Sequence, residues 1–435
     1  MERTLDVYLH EEVAGHLVQD DDGQTSFEYL ESWLAKPGAA ALSQSLPLRK
    51  ERFPAKECRG FFGGILPEET KREIIARNLG ISARNDYAML EQIGGECAGA
   101  VTFIPVGQEL PKRDYHYRKL DAKELAGILR ELPKREYHYR ELDAKELGGI
   151  LRELPKRPLL AGEKGIRLSL AGAQDKVAVR IEGEEISLPL GGAPSTHILK
   201  PAVERFAGVV FNEALCMTLA AHMNLPTAKV ETRKVEDVEY LLIERYDRTH
   251  ATIDGAPGVE RIHQEDFCQA LNIVSELKYQ KEGGPSFKQC FALLRNISTA
   301  PVIDLANLLD AGIFNYLVGN NDAHGKNFSL VYPDKEIRLA PLYDAISTIY
   351  YPELNTDMAM RIGCEYSSDR ITPKDFEQLA GDAGLAKPLV RRRVPELATA
   401  AIEALDKINI TDKVSDEVAG LIRKRCARAR EEFRT

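Results

Sequence analysis

The first hundred residues alternate apolar and polar positions in short runs, which predicts a small mixed α/β domain. Leu5, Val7 and Leu9 should share one face of a strand, because side chains alternate across a sheet. The other elements predicted here are a strand at 13–18, helices at 68–78 and 86–92, and a strand at 101–105.

The rest of the chain changes from a strand-rich pattern to a helix-rich one near residue 248. The predicted strands are 166–169, 176–181, 197–200, 228–233 and 238–244, with one helix at 212–222. The predicted helices that follow are 265–272, 287–297, 302–318, 373–382, 388–407 and 415–433. This order of elements indicates two lobes rather than one continuous α/β sheet.

A tandem repeat of 22 residues precedes the strand-rich lobe. Residues 109–130 recur as 131–152, and only three positions differ. Two copies are too few for a solenoid, and the mixed charges are typical of a solvated helical linker. Asp121 and Asp143 are each predicted to cap a short amphipathic helix. The predicted organisation is an N-terminal accessory domain at 1–107, this linker at 108–157, a strand-rich lobe at 158–247 and a helical lobe at 248–435.

Composition and charge exclude several classes of protein. The 435 residues include 58 Lys and Arg against 67 Asp and Glu, a formal net charge of -9, whereas a general nucleic-acid coat would be basic. The seven cysteines are scattered without a C-x-x-C pair, so neither a disulfide framework nor a thiolate zinc site is expected. With no signal-peptide pattern and no run of 18 uncharged apolar residues, we expect a soluble cytoplasmic protein without a membrane partner.

The strongest candidate for chemistry is NNDAHGKN at 320–327, where a predicted apolar helix ends. Asp322 and Asn327 have the D-x4-N spacing of a protein-kinase catalytic loop, in which a carboxylate orients the hydroxyl nucleophile and an amide oxygen holds a metal. A hairpin predicted over 328–340 would bring Asp344 beside Asn327, so that both could bind one Mg²⁺. Taken alone, the spacing also fits a plain polar turn.

Three further segments fit nucleotide binding. The small residues of SLAGAQDK at 169–176 let backbone N–H groups approach phosphates, although the segment lacks the usual glycine-rich patterns and also fits a hairpin turn. Lys200 at a strand end could contact phosphates, held by Glu213, or be an exposed edge lysine. Residues 241–248 lie where the two lobes join, which is where kinases bind adenine. The alternative is a plain strand end with a surface ion pair.

Together these segments resemble the HipA-type serine/threonine kinase family, the toxin half of bacterial HipBA toxin–antitoxin pairs. The resemblance covers nearly the whole chain and is carried by SLAGAQDK, THILKP, LIERYDR, IHQEDFCQALN, NNDAHGKNFSLV and LAPLYD. It implies an α+β, two-lobed kinase-like fold with a strand-rich N-terminal lobe, an all-helical C-terminal lobe and a small N-terminal α/β accessory domain. The 22-residue duplication departs from the family pattern.

The resemblance implies a role for each candidate residue. Asp322 would be the catalytic residue that orients the acceptor hydroxyl, and Asn327 and Asp344 would hold Mg²⁺. Ser169 would be an autophosphorylated serine, whose added charge beside the triphosphate should eject the loop and switch the enzyme off. The ATP-binding positions would be Ala171, Gly172, Ala173, Gln174, Asp175, Lys176, Lys200, backbone groups of Glu244, Arg245 and Tyr246, and the side chains of His324 and Tyr343.

The resemblance also implies partners. Family members phosphorylate a protein serine or threonine, and the known substrate type is an aminoacyl-tRNA synthetase, glutamate–tRNA ligase. The antitoxin is a HipB-like helix-turn-helix dimer, so DNA would be contacted only indirectly through it. Two alternatives stay open: a small-molecule or lipid kinase on the same scaffold, which would share Asp322, Asn327 and Asp344, or a non-catalytic regulator that binds only nucleotide or antitoxin.

Overall fold

The structure is a computed structural model that describes residues 2–108, 110, 139–161, 167–172, 174–190, 192–202, 205–253 and 256–434. Its strands are β1 Arg3–Leu9, β2 Glu12–Gln19, β3 Thr25–Tyr29, β4 Val101–Pro105, β5 Tyr139–Glu141, β6 Val177–Glu182, β7 Glu185–Pro189, β8 His197–Pro201, β9 Val230–Val235, β10 Val238–Glu244, β11 Arg248–Ile253, β12 Ala256–Arg261, β13 His263–Asp266, β14 Ser329–Tyr332, β15 Arg338–Leu339, β16 Asp357–Ile362 and β17 Glu365–Ser367.

The α-helices are α1 Glu31–Leu34, α2 Ala55–Gly64, α3 Glu69–Leu79, α4 Asp86–Ile93, α5 Ala144–Glu153, α6 Val209–His222, α7 Phe267–Ala270, α8 Phe287–Ile297, α9 Pro301–Val318, α10 Pro373–Ala383, α11 Lys387–Leu405 and α12 Lys413–Glu432. Short 3-10 turns lie at Pro158–Leu160, Ser275–Leu277, Gln280–Glu282, Gly325–Asn327 and Thr348–Tyr350.

The N-terminal domain is a four-stranded sheet in the order β3-β2-β1-β4, covered by α2 and α4. The predicted β1 is confirmed, since Leu5, Val7 and Leu9 are all buried on one face. The helix α2, which the sequence analysis did not predict, brings Phe61 and Phe62 into the same core. Its other side packs against α7 of the helical lobe, so the domain is docked on the rest of the chain.

The strand-rich lobe is a six-stranded antiparallel sheet, in the order β5-β7-β6-β8-β10-β9, that separates two hydrophobic cores. Alternate side chains of β10 enter different cores, because neighbours on a strand point to opposite faces. Tyr240 and Leu242 join the core of the N-terminal domain, whereas Leu241 and Ile243 join that of the helical lobe. The sheet therefore ties the N-terminal domain to the rest of the protein through a continuous core.

The second copy of the repeat forms part of this lobe over the residues that the structure describes. Its strand β5 pairs with β7, and Asp143 caps α5 in a reciprocal capping box with Glu146, as predicted for the cap. Leu147 and Leu151, four residues apart, are buried against the sheet. The segment 139–153 is thus packed rather than a solvated linker, while Asp121 and most of the first copy lie outside the described residues.

The helical lobe is built around α9, a buried helix that packs against α8, α11 and α12. Among the described residues, α9 is the one helix long and apolar enough to cross a membrane by length and composition, and 67% of it is buried inside the protein. The lobe predicted as all-helical also holds three small antiparallel sheets, β11-β12, β13-β14-β15 and β16-β17. Residues predicted to begin a helix at 265 instead form the end of β13, because they pair with β14.

The predicted hairpin after the 320–327 loop is confirmed. Strands β14 and β15 pair with Leu330 opposite Leu339 and Val331 opposite Arg338. Because the two strands lie side by side, the residues that enter and leave the hairpin meet at its base. This is the element that positions Asn327 and Asp344.

Candidate active site

A cavity of about 470 Å³ lies where the N-terminal domain and both lobes meet. All three parts of the chain line it, including most of the candidates chosen from the sequence. Those candidates are Ala171, Gly172, Gln174, Asp175, Lys176, Lys200, Glu244, Arg245, Tyr246, Asp322, His324, Asn327, Tyr343 and Asp344. Ala173 lies outside the described residues, and Ser169 is not on the cavity surface.

The 320–327 loop begins at the left-handed C-cap of α9, Gly319, with φ of +70°. A Cβ atom here would also lie 2.5 Å from the side chain of Ile349, so the position favours glycine. The next turn is held by Asn320, whose Oδ1 accepts a hydrogen bond from the Asp322 backbone N–H at 3.1 Å. The helix end and the asparagine together turn Asp322 into the cleft.

Asp322 has the environment of a residue that can accept a proton. The Tyr279 hydroxyl donates to its Oδ1 at 2.8 Å. The Asp322 side chain is exposed at the cleft, and partial desolvation by the surrounding walls raises its pKa to about 6. The negative charge of Asp344 adds to this, against the opposing effects of Tyr279 and Lys278. The carboxyl is therefore mainly ionised at pH 7, with a pKa close to the working pH of a general base.

Asn327 and Asp344 meet at the base of the hairpin. The Asn327 Nδ2 donates to Asp344 Oδ2 at 2.8 Å, across 17 residues of sequence. The Oδ1 of Asn327 is buried without a hydrogen-bond partner, which leaves a carbonyl oxygen free beside a carboxylate. Hard oxygen donors of this kind fit Mg²⁺, which commonly takes one or two protein ligands and completes its shell with phosphates and water.

The described residues contain no group of three or more His, Cys, Asp or Glu side chains that could hold a metal by themselves. Asn327 and Asp344 would therefore depend on nucleotide oxygens for the remaining ligands. This donor set resembles the shared metal sites of phosphotransferases more than a closed structural metal centre.

Lys200 is buried in an ion pair with two acids, which excludes the exposed edge lysine that the sequence also allowed. Its Nζ lies 2.7 Å from Glu213 Oε1 on α6 and 2.5 Å from Asp344 Oδ1. Burial alone would raise the pKa of Asp344, but Lys200 outweighs it and holds that pKa well below its usual range. Asp344 is thus ionised, and Glu213 is the holding partner that the sequence proposed for Lys200.

The 169–176 loop enters the cavity from the strand-rich lobe. Gly172 has φ of +107°, a conformation that side chains rarely adopt. Lys176 donates to the Ala171 carbonyl, and burial, together with nearby Lys200, lowers the pKa of Lys176 to about 8. Asp175 also borders the cavity, where its carboxylate pairs with Lys71 on α3 at 2.6 Å.

Ser169, the first residue of this loop, is fully buried, at 0% exposure. Its hydroxyl donates to the Ile65 carbonyl at 3.0 Å, and its backbone N–H donates to the Glu96 carbonyl at 2.9 Å. The hydroxyl has no access to the cavity in this arrangement. Phosphorylation of Ser169 would require the loop to leave its place first.

The predicted hinge, 244–246, lies at the cavity, but two of its amides are already engaged. The N–H of Glu244 donates to the Lys229 carbonyl at 2.9 Å, and that of Arg245 donates to the Thr196 carbonyl at 3.0 Å. These two N–H groups are therefore not free for adenine. The ring of Tyr246 lies 5.5 Å from that of Tyr343, and the two form an aromatic part of the cavity wall.

His324 contributes a neutral ring to the cavity. Burial lowers its pKa to about 3, and Nδ1 has no hydrogen-bond partner. The ring stands edge-on to Tyr279, with centroids 5.4 Å apart. Tyr343 is fixed differently, because its hydroxyl donates to the Lys326 carbonyl at 2.6 Å.

A buried ion cluster that the sequence analysis missed joins the N-terminal domain to the hinge. Glu96 accepts from Arg245 at 3.1 Å and from Arg248 at 2.8 Å, while Asp247 pairs with Arg245 at 2.8 Å. Burial alone would raise the pKa of Glu96, but the surrounding arginines lower it to about 2. The alternative of a surface ion pair at 241–248 is wrong, because both arginine side chains are 2% exposed.

The N-terminal domain also supplies a wall of the cavity, which the sequence analysis did not predict. Glu68, at the start of α3, pairs with Lys278 at 2.8 Å. Lys326 of the 320–327 loop donates to the Gly64 carbonyl at 3.0 Å and to Asp266 at 2.7 Å. The cavity residues from this domain are Phe61, Gly64, Ile65, Glu68, Lys71, Ala98 and Val101.

The two lobes and the cleft between them define a kinase-like protein of the α+β class. Residues 168–405 match the family model of the HipA-like C-terminal domain, and residues 5–104 match the HipA N-terminal domain. The chain belongs to the HipA-like kinase family, which confirms the resemblance seen in the sequence.

Two curated relatives and one solved structure extend this match. "Putative kinase Y4mE" of Sinorhizobium fredii is 46% identical over 410 residues, 93% of this chain and 92% of that protein. "Serine/threonine-protein kinase toxin HipA" of Shewanella oneidensis is 27% identical over 425 residues, 93% of this chain and 91% of that protein. A structure of Shewanella oneidensis HipA with HipB and its operator DNA matches with a TM-score of 0.81 at 26% identity, covering 99% of this chain and 100% of that one. The kinase relatives imply that this chain uses ATP.

Proposed function

We propose that this protein is a serine/threonine-protein kinase that transfers the γ-phosphate of ATP, as its Mg²⁺ complex, to a protein hydroxyl. The observation that carries the proposal is the linked set Lys200, Asp344 and Asn327, with contacts of 2.5 and 2.8 Å and one unpartnered Asn327 oxygen. A lysine, a carboxylate and an amide oxygen in one cleft are the parts that bind a metal–nucleotide complex in phosphotransferases.

In the proposed reaction the acceptor hydroxyl oxygen forms a bond to the γ-phosphorus, while the bond from that phosphorus to the β–γ bridging oxygen breaks. Asp322 orients the hydroxyl and accepts its proton, and ADP leaves with the bridging oxygen. Asn327 and Asp344 would hold Mg²⁺, which neutralises phosphate charge when bound. Lys200 and Lys176 would add positive charge around the phosphates.

We propose Ser169 as the site of a regulatory autophosphorylation. Its burial against the Ile65 carbonyl means that the phosphorylated residue could not return to the same place, because a dianionic group would have to be buried beside a carbonyl oxygen. The modified 169–176 loop would then stay outside the cavity and leave the phosphates without one of their binding elements. Ser169→Ala should therefore carry less phosphate after incubation with ATP.

The proposed setting is a cytoplasmic type II toxin–antitoxin pair. The Shewanella oneidensis structure contains HipA, HipB and operator DNA, which supports a HipB-like helix-turn-helix antitoxin as the partner here and DNA contact through that partner. The net charge of -9 is consistent with the antitoxin, rather than this chain, making the DNA contacts. Glutamate–tRNA ligase is the first protein substrate to test, and growth arrest with persistence is the expected cellular consequence.

The test is incubation of the purified protein with γ-labelled ATP and Mg²⁺, with and without glutamate–tRNA ligase, alongside the Asp322→Asn variant. The proposal expects label on serine or threonine of a protein, dependent on Mg²⁺ and absent from the variant. Label in a small metabolite would favour the alternative small-molecule kinase. Binding of ATP without any transfer would favour a regulator.

A further inference from the structure

The 169–176 loop is held from outside the two kinase lobes, by the start of α3 in the N-terminal domain. Lys71 Nζ lies 2.6 Å from Asp175 Oδ2, with the two side chains 19% and 8% exposed. The backbone adds a weaker link, because the N–H of Glu68 donates to the Gly172 carbonyl at 3.4 Å. Both Lys71 and Asp175 border the cavity.

The negative charge of Asp175 explains why the loop needs its ion pair with Lys71. A carboxylate in a loop that approaches phosphates is repelled by them, unless a cation neutralises it. The Oδ1 of Asp175 has no hydrogen-bond partner, so Lys71 is the cation that its Oδ2 depends on in this arrangement. Without Lys71, Asp175 would be a buried, unpaired charge that is stabilised by moving the loop into water.

A direct role for Lys71 as a phosphate ligand is the competing explanation, since a lysine bordering a nucleotide cavity can act as a point charge. The two roles differ in what Asp175 does. If Lys71 binds phosphate, Asp175 only competes with the phosphate for Lys71. If Lys71 holds the loop, it does so through its ion pair with Asp175.

We propose that Lys71 is a positioning residue, which keeps the 169–176 loop in its nucleotide-binding position through Asp175. The N-terminal domain thereby sets the affinity of the kinase lobes for ATP. The inference rests on the proposed function only in naming ATP as the nucleotide.

The first experiment measures the dissociation constant of ATP·Mg²⁺, and KM where turnover is observed, in the full-length protein. Lys71→Gln and Asp175→Asn should each weaken ATP binding about tenfold, with a much smaller change in kcat. The double variant should be no weaker than either single one, because both remove the same interaction. Lys71→Arg should restore most of the affinity. Arg77→Gln, which removes an exposed charge from the same helix, is the control and should bind ATP normally.

The second experiment follows amide hydrogen exchange of residues 168–177 without nucleotide. Lys71→Gln and Asp175→Asn should exchange faster in this segment than the wild-type protein and Arg77→Gln, while the melting temperature changes little. This readout does not require phosphotransfer, so it tests the loop even if the protein proves not to be a kinase.

Two results would overturn the inference. One is an Asp175→Asn variant that binds ATP as well as or better than the wild type while Lys71→Gln binds weakly, which would make Lys71 a phosphate ligand. The other is normal exchange and normal ATP binding in both single variants. If the wild type binds ATP but transfers no phosphoryl group, the proposed function fails, and the exchange and binding comparisons still decide the role of Lys71.

Discussion

The two walls of the cleft are built in different ways. The helical-lobe wall presents Asp322, Asn327 and Asp344, which a single loop and a short hairpin bring together within 23 residues of chain. The N-terminal domain contributes Lys71 at the cavity and Glu96 in the buried cluster, whose ion-pair partners are 104 and 149 or more residues away. The comparison teaches that the candidate reactive groups are positioned by neighbours in sequence, whereas the N-terminal domain holds the 169–176 loop and the hinge through contacts distant in sequence. A domain that looks accessory in the sequence is structurally part of the site.

The largest expected effect comes from the helical-lobe wall. Asp322→Asn should lower phosphotransfer about a thousandfold, because the amide cannot accept the proton of the acceptor hydroxyl. The melting temperature should stay close to that of the wild type. The measurement is initial-rate transfer of labelled phosphate at saturating ATP.

The matched control is Asp334→Asn, the same change at an exposed position in the turn of the adjacent hairpin. It should leave the rate unchanged. An Asp322→Asn variant as active as this control would remove Asp322 from the proposed mechanism.

The next effect tests the N-terminal domain through stability. Glu96→Gln should lower the free energy of unfolding by about 3 kcal/mol, because it leaves buried arginines without their carboxylate. In the folded protein the pKa of Glu96 is about 2, below its ordinary value of 4.5. Its stabilising contribution is therefore present above pH 4.5 and is lost as the pH falls toward 2. Urea unfolding of both proteins should show the difference shrinking over that range.

Glu91→Gln is the control for this change, because Glu91 pairs with the exposed Arg3. Glu91→Gln should lower the free energy of unfolding by less than about 1 kcal/mol. If Glu96→Gln is as mild as this control, the buried cluster is not what joins the N-terminal domain to the hinge.

The third effect concerns the metal. Asn327→Ala removes the unpartnered amide oxygen and should raise the Mg²⁺ concentration needed for half-maximal transfer about tenfold. Titration of activity with Mg²⁺ at fixed ATP measures this directly. An unchanged Mg²⁺ dependence would mean that the metal binds elsewhere.

The smallest effect is a change in pH dependence. Tyr279 donates to Asp322 and so favours its ionised form, against the partial desolvation in the cleft that raises the Asp322 pKa to about 6. Tyr279→Phe should therefore move the acid limb of the kcat/KM profile upward by about half a pH unit, with about a twofold loss at pH 6 and little change at pH 8.

Tyr350→Phe serves as the control for the tyrosine change, since its hydroxyl donates to Glu417 at the protein surface. Its pH profile should overlay that of the wild type. A downward movement of the acid limb in Tyr279→Phe would contradict the assigned hydrogen bond.

The sequence predicted the helical-lobe wall because its geometry follows from short-range rules. The helix end, the D-x4-N spacing and a hairpin of about ten residues were enough to place Asp344 beside Asn327. Nothing comparable links Lys71 to Asp175, because helical periodicity shows that a residue is on a surface but not which distant loop it meets.

Two errors have a similar physical cause. The second repeat copy has the charge pattern of a solvated linker, but its Leu147 and Leu151 are buried once a sheet lies beside them. The segment at 265 has helical spacing, but pairing with β14 outweighs that local preference. In both cases the structure of the segment is determined by a strand that lies elsewhere in the chain.

The central claim is that one metal–nucleotide complex binds between Lys200 and the pair Asn327 and Asp344. A crystal structure with Mg²⁺ and a non-hydrolysable ATP analogue tests it most directly. We expect Mg²⁺ about 2.1 Å from Asn327 Oδ1 and from an Asp344 oxygen, with Lys200 contacting the phosphates and Asp322 facing the γ-phosphate. A nucleotide bound outside this cleft, or a metal that contacts neither residue, would contradict the account.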